Sequence, residues 1–143
     1  MSVRQQFEVE KIEERIRSAG LLKVRKRYME RYHKDENVAV LAESEFCKFA
    51  ALHFLEPDLI LAPSGFVDEF WHEYVLDTKG YRQFCDEIFG SFWEHNPTVT
   101  AEEAMPFYRE TLAMYERYFG EKPNARAWGP AAVECSCGYA ASS

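Results

Sequence analysis

The chain reads as an all-α domain, and three observations predict it. Apolar residues recur at helical spacing along most of the chain, and no stretch alternates apolar and polar long enough to make a strand. Helix-start and helix-stop residues punctuate that pattern: Asp35, Ser64, Asp77 and Thr100 before apolar runs, Gly20, Gly90 and Gly120 after them. The expectation is a single irregular bundle of about five helices with an irregular C-terminal tail. The domain division is 1–122 for the helical part and 123–143 for a Cys-containing tail.

Each element has its own justification. In 3–19, Val9, Ile12, Ile16 and Ala19 share a face, and Gly20 is a natural stop. In 21–34, Leu21, Val24, Tyr28 and Tyr32 align; this stretch either forms a hairpin with the first or continues it as one bent helix. Asp35 caps a helix over 38–55 with the stripe Ala39, Ala42, Phe46, Phe49 or Ala50, and His53. Glu56-Pro57-Asp58 ends it, because the residue before a proline is pushed out of the helical region. His53 reads as a satisfied core or helix-end histidine. Leu59-Ile60-Leu61-Ala62 is a short extended link.

The next helix, capped by Ser64 or Asp68, runs to Leu76 and is apolar on most sides. Only Glu69 and Glu73 mark a wet face, so it is expected to be the most buried helix. Asp77 caps the following one, where Tyr81, Phe84, Cys85, Ile88 and Phe89 are cleanly amphipathic. Residues 91–99 form a loop around His95-Asn96-Pro97. Thr100 and Glu103 make a capping box for a long helix ending at Gly120, with Pro106 near its start. The remainder reads as a strap that frays.

Composition sets the function classes. The chain has 143 residues, is 47% hydrophobic and 15% aromatic, and carries a net charge of −7. That is one aromatic-cored globular domain, and the charge argues against a nucleic-acid partner. Lys23, Arg25, Lys26, Arg27, Arg31 and Lys34 stand against one acid, Glu30, within 21–34. This basic stretch is either a patch for an acidic partner or a solvated face paired within the domain. The charged N-terminal stretch lacks an apolar signal region, and no apolar run is long enough for a membrane span, so a cytoplasmic protein with no membrane partner is expected. Cys47 and Cys85 read as core packing.

Chemistry concentrates in 67–97. Asp68 and His72 lie four residues apart on one helix and share a face. A buried carboxylate needs a partner, and the nearest in sequence is the His72 N–H, which would fix the imidazole tautomer. On that pairing, His72→Ala orphans Asp68 and costs about 2–4 kcal/mol. If His95 folds back to the same place, His72, His95 and Asp68 are candidate ligands of an open zinc or non-haem iron site. Without metal, His72, Asp68 and Tyr81 are candidate catalytic groups for acid–base work. The third reading is a buried polar network that orients helices. Cys135 and Cys137 form a separate candidate soft-metal pair, or a modifiable element on a carrier tail. No nucleophile elbow and no phosphate-binding glycine loop occurs.

The run Leu61-Ala62-Pro63-Ser64, Val67-Asp68, Trp71-His72, Leu76-Asp77-Thr78, Tyr81, Phe84-Cys85, Phe89-Gly90 and His95-x-Pro97 resembles the bacterial glycine-rich domain-containing protein-like family over roughly residues 45–120. The resemblance implies that Asp68, Trp71, His72, Asp77, Tyr81 and His95 are signature positions, and it supplies no activity. That family reads Trp-His-x-His, whereas Tyr74 stands at the second histidine position here. The leading functional expectation is a non-enzymatic binding or adaptor domain that engages a protein or peptide through a groove or the basic helix. The alternatives are a metal or acid–base enzyme centred on His72, and the tail carrier.

Overall fold

The structure is a computed structural model that describes residues 2–96 and 99–129. Six helices follow in chain order: α1 (Val3–Arg17), α2 (Leu22–Tyr32), α3 (Glu36–Leu55), α4 (Gly65–Leu76), α5 (Thr78–Ile88) and α6 (Ala101–Phe119). No strand occurs among the described residues, so the all-α bundle predicted by the periodicity is the fold. The first two helical stretches are separate elements. Gly20 takes a left-handed φ of 79°, which a residue with a Cβ resists, and the chain turns there.

The capping chemistry sits where the sequence places it. The side chains of Asp35, Ser64 and Asp77 accept from the backbone N–H of Val38, Val67 and Gly80. Ser64, not Asp68, therefore caps α4, which leaves Asp68 free to pair elsewhere. Thr100 and Glu103 form the reciprocal capping box of α6. Pro106 lies inside α6, past its first turn.

α3 is the axis of the bundle and packs against α1, α2, α4 and α6. Its small residues Ala39, Ala42, Ala50 and Ala51 let neighbours approach, while Phe46 and Phe49 fill the space between them; all six are fully buried. Phe46 meets the rings of Phe70, Tyr74, Phe84 and Trp93. Phe49 meets Trp71, Trp93 and Trp128. Cys47 and Cys85 are buried free thiols; burial pushes Cys47 up to about 12 and raises Cys85, so both serve packing. No helix among the described residues is long and apolar enough to cross a membrane.

Two acids break the expected inside–outside pattern. Glu73, read as solvated, is 2% exposed because α2 packs over α4 at that point. Arg31 Nε stands 2.6 Å from its Oε2, off the line of a hydrogen bond. Glu45 on α3 is buried too, and one of its oxygens accepts from the Tyr115 hydroxyl (2.7 Å) and the Trp128 indole N–H (2.9 Å).

The link between α3 and α4 is held by one side chain. Buried Thr111 accepts from the Ala62 N–H (2.9 Å) and donates to the Phe107 carbonyl (2.8 Å). Thr111→Val keeps the shape and leaves the Ala62 donor unpaired. It is expected to lower stability by about 1–3 kcal/mol, read from a urea midpoint that shifts at constant slope.

Candidate functional site

The geometry around α4 is assembled from a loop as much as from the helix. After α5, the chain 91–96 folds back across the end of α3. Its Trp93 is buried, stacks on Trp71 with centroids 4.3 Å apart, and is fixed by two polar contacts. Tyr81 donates its hydroxyl to the Trp93 carbonyl (2.5 Å) and accepts from the Trp71 indole N–H (2.9 Å). The Trp93 N–H points to Cys85 Sγ at 3.5 Å. Tyr81 is thus committed as both donor and acceptor, and burial raises its pKa. Its hydroxyl positions two tryptophans.

The loop also delivers His95 to Asp68. His95 Nε2 donates to Asp68 Oδ1 at 2.8 Å, and the two side chains are 7% and 4% exposed. This corrects the local pairing of Asp68 with His72. His72 acts on Asp68 by its charge, whereas the loop brings the hydrogen-bond donor to the carboxylate. Burial raises the Asp68 pKa; the hydrogen bond and charge of His95, then the charge of His72, oppose that rise. His72 is half-buried, with its ring centroid 5.8 Å from that of His95. The edge of the Trp71–His95 pair (4.6 Å, 80° between planes) closes the other side.

The three expected ligands therefore converge as a hydrogen-bonded pair with one neighbour. Among the described residues, no three His, Cys, Asp or Glu side chains are grouped so as to hold a metal ion. Cys135 and Cys137 lie outside the described residues.

Beside Trp71 and Trp93 opens a groove of about 670 Å³. Its floor is aromatic: Trp71, Trp93 and Phe89, with His53 stacked on Trp93 (4.8 Å, 7°) and edge-on to Phe89 (4.7 Å). Its lips are the link between α3 and α4 and the loop after α5, where Ile60 is 66% and Phe92 45% exposed. Asp68, His72 and His95 do not line it. His53, read from sequence as a satisfied core or helix-end histidine, lies in the last turn of α3 and lines this groove, and burial lowers its pKa so that it is neutral at pH 7. Sequence reasoning also passed over Trp93. The available signal was the adjacent pair Phe92-Trp93 in a stretch with no helical period, since a loop has no local reason to carry two large rings.

A family model described as UCP032817-like matches residues 9–112, a span that holds every residue of the groove and of the Asp68–His95 pair. The match overturns the resemblance to the glycine-rich domain-containing protein-like family. The matched family is a different one, and its model extends into α1, well before the residues that carried the resemblance. No curated protein and no solved structure matches the chain.

Proposed function

Because the chain belongs to the UCP032817-like family, whose description names no reaction, we propose its function from the groove: it is a non-enzymatic binding domain for a protein or peptide partner. The observation that carries the reading is the division of labour around Trp71. The polar pair Asp68–His95 is buried and does not line the groove; it sets the loop. The groove itself is apolar, concave and lipped by large exposed side chains. A sealed carboxylate–imidazole pair cannot reach a substrate, whereas an exposed apolar concavity of this size is a standard recognition surface. The groove's volume lies within the range of sites that bury an anchoring side chain or two.

The test is binding of peptides selected from a random library on the whole chain, repeated with Ile60→Ser and Phe92→Ser. Ile60 is exposed, and Phe92 is half-exposed with one contact to the Tyr81 ring, so a thermal melt of each variant is read beside the binding. Selected peptides are expected to bind each variant at least about 10-fold more weakly, a loss of about 1.4 kcal/mol in a contact that buries one large side chain. Unchanged affinity in both variants would remove the groove from the account.

A further inference from the structure

Resting on that reading, we propose that the groove's occupant is a peptide segment presenting a lysine or arginine between apolar residues. Three independent features of the groove select that chemistry.

The first is charge. Among the described lining residues are two carboxylates, Asp58 and Glu94, and no lysine or arginine. Both acids are exposed, and neither makes a hydrogen bond or ion pair with a described residue. A rim of this sign attracts a cation and repels an acidic segment. The whole chain is acidic as well, with a net charge of −7.

The second is the floor. Trp71 and Trp93 are buried and stacked on each other, so what they and Phe89 offer is an apolar bed for the aliphatic stem of a lysine or arginine. His53 adds a lone pair. It is uncharged at neutral pH, and no described residue hydrogen-bonds its ring nitrogens, so it accepts from an N–H donor and does not repel a cation.

The third is the backbone at the lip. The Leu59 N–H is bonded to the Glu56 carbonyl and the Ala62 N–H to Thr111. The amides of Ile60 and Leu61, between them in a stretch that is neither helix nor strand, donate to no described residue. A main-chain donor left open at the lip suits the carbonyl of a peptide backbone lying along the groove.

The experiment uses two peptide libraries selected side by side on the whole chain, alike except that one fixes a central arginine and the other a central glutamate among random neighbours. The arginine library is expected to yield binders that require Phe92 and bind at least about 10-fold more tightly than the best glutamate peptides. In a chain carrying Asp58→Lys and Glu94→Lys, that preference is expected to vanish or reverse, since both positions are exposed and the fold does not depend on them. Glutamate peptides that bind equally well through Phe92 would overturn the cationic occupant and leave the groove as a binding site. Binders from neither library that depend on Phe92 would overturn the groove itself.

Discussion

Replacing His95 by alanine is expected to destabilise the fold by about 3–5 kcal/mol at pH 7, the cost of leaving a buried carboxylate without its partner. In a chain of this size that is a fall in Tm on the order of 10 °C. The pH dependence carries the proof. Burial already raises the Asp68 pKa above its ordinary 3.8, and losing His95 removes the largest opposing influence. A group whose pKa is raised on folding gives its full stability below the unfolded value and loses it as pH rises through the folded value. The deficit of His95→Ala relative to the parent is therefore greatest at neutral pH and shrinks as pH falls toward 4. Adding Asp68→Asn to His95→Ala is expected to recover part of the loss at pH 7, because a neutral amide is cheaper to bury than a carboxylate. His72→Ala, by contrast, is expected to cost less than about 1 kcal/mol, since the half-buried His72 only assists Asp68 at a distance. Urea unfolding of the four chains at pH 7 and pH 4 separates these outcomes.

The second large effect lies far from the groove in sequence. Trp128→Ala is expected to cost about 3–5 kcal/mol, the usual range for removing a buried aromatic side chain. Trp128 is buried against Phe49, Tyr108 and Tyr115. Its indole N–H is also one of the donors that keep buried Glu45 satisfied. Because Phe49 touches Trp128 on one side and Trp71 and Trp93 on another, the variant is also expected to loosen the groove floor. Trp128→Phe keeps one aromatic ring but loses the donor and part of the buried volume, so it is expected to recover only part of the stability. Thermal unfolding followed by circular dichroism reads both.

These two residues mark the boundary of what the sequence makes legible. The amphipathic α5, the capping box at Thr100 and the Gly20 turn follow from neighbours within a few residues, and a linear reading reaches them. That buried Asp68 requires a partner is also legible, because the cost of an unpaired carboxylate does not depend on the fold. Which partner it takes is not, since His95 arrives on a loop whose path is set by Trp93 packing on Trp71 and Tyr81. Glu45 and Glu73 look solvated by spacing alone. Their burial depends on Trp128 and Arg31, which lie far along the chain on other elements. The groove escapes for the same reason. It is made of a helix end, the link between α3 and α4 and the loop after α5, and none of these has a period to read.

Chemical-shift mapping of a selected peptide on the 15N-labelled whole chain tests the binding-domain account most directly. The account predicts that the perturbed amides and indole N–H groups fall in 53–61, at Trp71 and in 89–96, with the basic face of α2 unmoved. Perturbation centred on Lys23, Lys26 and Arg27, with the groove silent, would contradict it and move the interaction surface to the basic helix.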